Sequence, residues 1–312
     1  MGDVLRYRIP GKNVVRERGF FKQFEGEMGF VVTSFNKEKK FVFVPEDNEP
    51  EFHEKSKPIE TSKEQYFNAA NEVISELKLY GGKAILSRIK REAIDESPEI
   101  LFEKLVETYP KAFVYLISSN SFGTWLGATP ENLISRLGIL GQSMALAGTR
   151  KTNEERSWTS KELEEHEIVA DFIAQTLKEV QVEGIQRFSR ENTVSGPVEH
   201  LLTRFQFELN NEDDWKLATK LHPTPAVSGF PREKALELIR KTEAHDRSLY
   251  AGIIGVVGDE THLFVNLRCA QIVGNEMFLY LGGGYTKDSV AEDEWMETEN
   301  KAKTLLNLLK KE

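Results

Sequence analysis

Glu162 and Glu165 stand three residues apart at the start of a segment with helical periodicity, and so do Glu294 and Glu297. Residues at that spacing share one face of a helix. Four carboxylates presented this way can converge on a divalent cation, which would make the chain a metal-assisted enzyme. Local helix chemistry offers another origin for both pairs. Thr159-x-x-Glu162 is the signature of a capping box, and acidic side chains suit a first helical turn. In the later segment Ser289 and Glu292 supply that signature, which leaves Glu294 and Glu297 over. Lys301, four residues beyond Glu297, fits an ordinary solvated Glu–Lys pair.

Other residue types with chemical potential are scattered between the pairs. Gly282–Gly284 follows a strand-like run and could present backbone N–H groups to an anion, although such a run is commonly a turn. In LHPTPAVSGFP, residues 221–231, prolines stiffen a loop with His222 at its entrance, either as a structural residue or as a substrate contact. Lys83 opens the strand-like KAILSRIK; a lysine there is normally solvated, but in a closed cleft it can serve as a base. Glu131, beside the turn proline of GATPENLI, would be its partner acid.

Periodicity supplies the elements that must position these groups. GFVVTSF and KKFVFVP read as a strand pair, and residues 45–63 as a polar loop or linker. A helix capped at Thr61 or Ser62 runs to Gly81. KAILSRIK is a strand, SPEILFEKLVETYP a helix, and AFVYLIS a strand. GTWLGATP, NLISRLGI and QSMALAGTR follow as strands, then a long amphipathic helix over 160–181. HLLTRFQFEL reads as a strand and PREKALELIRKTE as a helix. LYAGIIGVVG, THLFVNLRCAQIV and EMFLYLGGG read as three closely spaced strands, a pattern of antiparallel hairpins. Strands and helices cluster without strict alternation, which argues α+β. The expected division is a small β-rich N-terminal segment with its linker over 1–60, and one large domain over 61–312.

Composition narrows the function. The chain has 312 residues with net charge -9. No basic block with interleaved aromatics is present, so a nucleic-acid partner is not expected. No apolar run approaches the roughly 18 residues of a membrane helix, and no membrane association is expected. The single cysteine, Cys269, fits a reducing cytoplasm, where a buried inert thiol is the ordinary reading.

Taken in order, the segments KAILSR, GATPENLI, ALAGTR, KELEEHEIV, LHPTPAVSGFP, LYAGIIG, NLRCA, LGGGY and EWMETENKAKTL resemble the chorismate-utilising enzymes. These include isochorismate, salicylate, anthranilate and aminodeoxychorismate synthases. The resemblance covers roughly residues 80–308 and says little of residues 1–60. It implies a fold of stacked antiparallel sheets flanked by helices, with chorismate as the small-molecule substrate and no obligatory protein partner. It also implies a Mg²⁺ site, with Glu165 and Glu297 as direct ligands and Glu162 and Glu294 supporting them. Arg268 resembles the arginine that grips a substrate carboxylate. Tyr250, Lys301 and the Gly282, Gly283 and Gly284 backbone resemble further carboxylate contacts. His222 resembles a histidine near the ring, and Gly148 and Thr149 a site-lining turn. Lys83 and Glu131 match the general base and general acid of the isochorismate and salicylate synthases. Ala147 stands where aminodeoxychorismate synthases place a nucleophilic lysine. Both Lys83 and Ala147 favour water as the nucleophile, and so a Mg²⁺-dependent isochorismate synthase, whose product serves menaquinone and siderophore synthesis alike. Salicylate synthase, the large component of anthranilate synthase and a non-catalytic chorismate-binding protein are the alternatives.

Overall fold

A computed structural model describes residues 2–309 except 27, 153–155, 196–197 and 211–212. Its strands pair in one antiparallel succession. The first half runs β13 (Gly229–Phe230), β5 (Lys83–Ala93), β17 (Glu276–Tyr285), β16 (Cys269–Val273), β7 (Gly123–Thr129), β6 (Phe113–Ser119) and β1 (Asp3–Arg8). The path then passes through β2 (Val15–Gln23), β4 (Lys40–Pro45) and β3 (Gly29–Thr33). It continues into β14 (Ile253–Val257), β15 (Glu260–Val265), β8 (Asn132–Leu137), β9 (Leu140–Lys151) and β12 (Val198–Glu208). The strands β10 (Glu183–Arg187) and β11 (Glu191–Ser195), end to end along one edge of β12, close it.

The two halves lie face to face. Phe113 of β6 stacks on Phe264 of β15 with ring centres 4.5 Å apart, and Tyr7 of β1 meets Phe30 of β3 at 5.0 Å. This is the expected α+β arrangement of stacked antiparallel sheets. Strands on the two sides of residue 60 share it, since β1 pairs with β6 and β3 with β14.

Helices cover both outer faces, each through an apolar stripe. Tyr66, Ala70, Val73 and Leu77 of α1 (Lys63–Tyr80) cluster with Ala84, Leu86 and Tyr285, together with Leu238 of α5 (Arg232–Thr242). Leu101, Phe102 and Leu105 of α2 (Pro98–Thr108) join Ala302 and Leu305 of α6 (Ala291–Leu306) over the outer side of β6, β7, β16 and β17. Val169, Ile173 and Leu177 of α3 (Ser160–Glu179) and Leu217 and Leu221 of α4 (Asp214–Leu221) cover the other half.

The caps of α1, α2 and α3 follow local chemistry, whereas α4, α5 and α6 have no side-chain cap. Ser62 caps α1 in a box with Gln65, and Gly81 stops it at φ 74°. Thr159 and Glu162 form both halves of the capping box on α3. The Ser289–Glu292 box does not form: α6 starts at Val290 without a side-chain cap, because the Ser289 hydroxyl donates to Glu294 Oε1 at 2.9 Å. THLFVNLRCAQIV is not one strand either. It breaks between β15 and β16, and Arg268 sits in the break at φ 49°. Positive φ disfavours a side chain, so surrounding structure must hold this residue there.

Candidate active site

Where the first half of the sheet meets α3 and α6, a pocket of about 710 Å³, counting its open mouth, gathers most of the singled-out residues. Lys83 and Glu131 line it together with Gly148, Glu165, Tyr250, Arg268, Gly282–Gly284, Glu297 and Lys301.

Lys83, the first residue of β5, is 1% exposed, and its Nζ is 2.7 Å from Glu165 Oε1. Three glycines make room for this pair and its neighbours. They are not a turn: they run inside β17, opposite Ser87, Leu86 and Ile85 of β5. A Cβ on Gly284 would lie 2.6 Å from Glu165 Oε1 and 3.2 Å from Lys83 Cε. A Cβ on Gly282 would lie 2.6 Å from the Tyr250 hydroxyl. Ile85 sends its N–H to Ser228 O, away from β17. The pair Ile85–Gly284 is therefore of the non-hydrogen-bonded kind, and the polar groups of Gly284 and Gly282 face the other edge. On that edge β16 has already ended at Cys269, and Lys301 Nζ donates to Gly282 O at 2.8 Å.

Glu131 follows β7 and is pinned by its own carbonyl, which accepts from Val265 N at 3.0 Å. Burial pushes its carboxyl up to about 7, against the opposing pull of Lys83, Lys301 and Arg268. At neutral pH this group keeps a proton for much of the time.

Arg268 is buried, yet among the described residues its NH1 has no hydrogen-bond partner. A buried donor left unpaired is costly, and a carboxylate would satisfy it. Its NH2 faces His200 Nε2 at 3.4 Å, while His200 Nδ1 lies 2.9 Å from Gly148 O. A neutral ring protonated on Nδ1 fits both contacts. Burial, then Arg268, lowers the His200 pKa to about 3. His200 therefore orients Arg268 without adding charge.

Sequence reasoning missed His200, which reads as one more residue of an alternating strand. His222, open in sequence between a structural role and a substrate contact, does not line the pocket. His222 is fully buried outside the pocket, with Nε2 3.0 Å from Phe35 O and its pKa lowered to about 3, chiefly by burial. Thr149 pairs with His200 through the backbone, and its side chain lies outside the described residues.

Each of the four glutamates has a cation of its own. Glu162 accepts from Arg156 at 2.7 and 2.8 Å and from the Thr159 N–H at 2.8 Å, so its oxygens are committed to the cap. Glu165 holds Lys83, Glu297 holds Lys301 at 2.6 Å, and Glu294 holds Lys161. Glu294 is 2% exposed, and its Oε2 has no hydrogen-bond partner. Burial and then the Glu297 charge raise its pKa to about 7, with Lys161 opposing. Among the described residues no three carboxylates are already grouped as a metal cage.

A buried network fixes the frame. Arg247 NH1 donates to Val227 O at 2.7 Å and NH2 to Ile85 O at 2.9 Å. Glu243, paired with Arg247 at 2.6 Å, accepts the Ser87 N–H at 2.6 Å. One ion pair thereby ties β5 to the 221–231 loop.

Comparison with known proteins bears on this geometry. The family described as Chorismate binding enzyme matches residues 26–310. The isochorismate synthase EntC of Escherichia coli (strain K12) is 31% identical over 241 residues, 72% of this chain and 62% of EntC. The isochorismate synthase MenF of Bacillus subtilis (strain 168) is 29% identical over 295 residues, 86% of this chain and 61% of MenF. The chain thus matches a little over three fifths of these relatives' length. The crystal structure of DhbC from Bacillus anthracis superposes with a TM-score of 0.84 at 26% identity, covering 98% of this chain and 96% of that one. Anthranilate synthase component I of Streptococcus pneumoniae TIGR4 shares the fold, with a TM-score of 0.73 at 17% identity over 98% of this chain and 90% of that one. The match in sequence runs through the strands and helices that frame the pocket, and the chain belongs to the chorismate-binding enzyme family.

Proposed function

We propose that the chain is an isochorismate synthase, a Mg²⁺-dependent isomerase that moves the hydroxyl of chorismate from C4 to C2. The observation that carries this reading is the pairing of a buried lysine, Lys83, with a buried carboxyl, Glu131, held near pKa 7 in one pocket. An acid tuned to the working pH is an efficient proton donor. Relatives named isochorismate synthases support it.

In this reading Lys83 takes a proton from water as the water oxygen bonds to C2. The ring double bonds shift, the C4–O bond breaks, and Glu131 protonates the departing hydroxyl. Product and substrate are isomers, so atoms balance. Arg268 NH1 grips one substrate carboxylate, with the Tyr250 hydroxyl, Lys301 and the open edge at Gly282 and Gly284 completing its surroundings. Ala147 leaves the attacking position to water.

The residues fit a magnesium ion. Glu294 has a buried carboxylate oxygen without a partner, and the donor set is all oxygen, which suits a hard ion. Glu165, Glu297 and Glu294 would hold it, with Glu162 supporting from its cap. When bound, Mg²⁺ supplies positive charge for the C1 carboxylate of the substrate and for charge developing on it.

The test is incubation with chorismate and Mg²⁺ in the absence of ammonia, with products separated by chromatography. Isochorismate is expected. Salicylate with pyruvate would make the chain a salicylate synthase, turnover that requires ammonia an anthranilate synthase, and binding without turnover a non-catalytic protein.

A further inference from the structure

Lys161 precedes Glu162 in the first turn of α3, yet its side chain leaves its own helix. It crosses to α6, where Nζ bonds Glu294 Oε1. Ser289 already donates to that oxygen at 2.9 Å. Burial opposes the ammonium charge, but Glu294, Glu165 and Glu297 outweigh it, and the Lys161 pKa is raised. The residue does not line the pocket, and it meets the proposed site through Glu294.

Its position has a consequence for metal binding. A doubly charged ion and an ammonium on one carboxylate repel strongly at such close range, even with partial solvent screening. We propose that Lys161 is a built-in counter-ion that competes with Mg²⁺ for the Glu294, Glu165 and Glu297 carboxylates and lowers the affinity of that site. This inference rests on the reading of these glutamates as the Mg²⁺ site.

Two features favour a displaceable cation over a fixed brace. The Lys161 side chain is 33% exposed, so a path to solvent lies open beside it. An ammonium on a flexible stem makes one point contact, unlike the two-pronged grip of Arg156 on Glu162. The permanent partner is an arginine and the releasable one a lysine.

The experiment is calorimetric titration of Mg²⁺ into the full chain without substrate, for the wild type and Lys161→Met. The variant is expected to bind Mg²⁺ about tenfold more tightly or better, which corresponds to about 1.4 kcal/mol. Without metal it is expected to melt at a lower temperature than the wild type, and to gain more on adding Mg²⁺. Equal or weaker binding by the variant, with normal binding by the wild type, overturns the inference and leaves the metal reading intact. No binding by either protein overturns both. A second measurement needs no variant: mass spectrometry of lysine methylation on the wild type. Lys161 labelling should rise at saturating Mg²⁺; unchanged or reduced labelling overturns the inference.

Discussion

Lys83 Nζ lies 2.7 Å from Glu165 Oε1, so the proposed base and a proposed metal ligand share one contact. Lys83→Ala is expected to lower turnover by roughly 10²-fold or more, the usual worth of a positioned general base. It should not weaken Mg²⁺ binding, because it removes no ligand. Steady-state kinetics with calorimetry checks both; near-normal turnover would sink the role of Lys83.

Glu131 carries the pH dependence. Its protonated form is present below about 7 and lost above it, so kcat/KM should fall on the alkaline side through that value. Glu131→Gln should cost roughly 10²-fold or more in kcat and remove this limb of the profile. Stability follows the same sign. The folded pKa lies above the unfolded one, so the contribution is complete below about 4.3 and lost as pH rises through about 7. The shift corresponds to on the order of 3 kcal/mol. The melting temperature of the wild type should therefore drop more than that of Glu131→Gln between about pH 5 and pH 8.

Arg268→Lys removes the fork but keeps a charge. A carboxylate gripped by two parallel N–H groups loses about 1.5–3 kcal/mol with it, which is roughly 10- to 150-fold in affinity. Equilibrium binding of chorismate measures this; unaltered binding would place the substrate carboxylate elsewhere.

Gly284→Ala separates packing from chemistry. Its new Cβ would press on the ends of Glu165 and Lys83, both flexible side chains, so unfolding should cost under about 1.5 kcal/mol. Turnover should nevertheless fall by roughly 10²-fold, because displacing reacting groups by about 1 Å is that costly. A stable, fully active variant would show that the Lys83–Glu165 geometry is not needed.

Arg247→Met tests the frame. It would leave Glu243, 3% exposed in its side chain, without its charge partner, a loss of about 3–5 kcal/mol. Arg247 holds the Glu243 pKa down against burial. That contribution is present above the ordinary carboxylate range and lost as pH falls through the depressed value. The difference in melting temperature between wild type and variant should shrink in acid.

Much of this arrangement is legible in sequence where the cause is local. Ser62, Gly81 and the Thr159–Glu162 box act within one helical turn, and the stripes of α1, α2, α3 and α5 repeat along a single element. What escapes is set by distant neighbours. Ser289 reads as a cap until Glu294 takes its hydroxyl. The apolar run from Thr261 to Val273 reads as one strand until Arg268 turns at positive φ. The three glycines read as a turn because nothing local shows that Glu165 and Tyr250 occupy the space beside them. His200 is silent because alternation in β12 accounts for it, and the buried His222 because a rigid loop looks the same in either role. Helix α4 is too short, at 8 residues, to show a period, and the strands β10 and β11 carry too few apolar residues to stand out.

The start of β5 is held from two sides, by β17 along its length and by Gly229–Phe230 at Lys83 and Ala84, with Ile85 bonded to Ser228. In terms of time, amides in such a segment exchange with solvent only when the whole molecule opens. The proposed base is thus mounted on a strand end bonded along both edges.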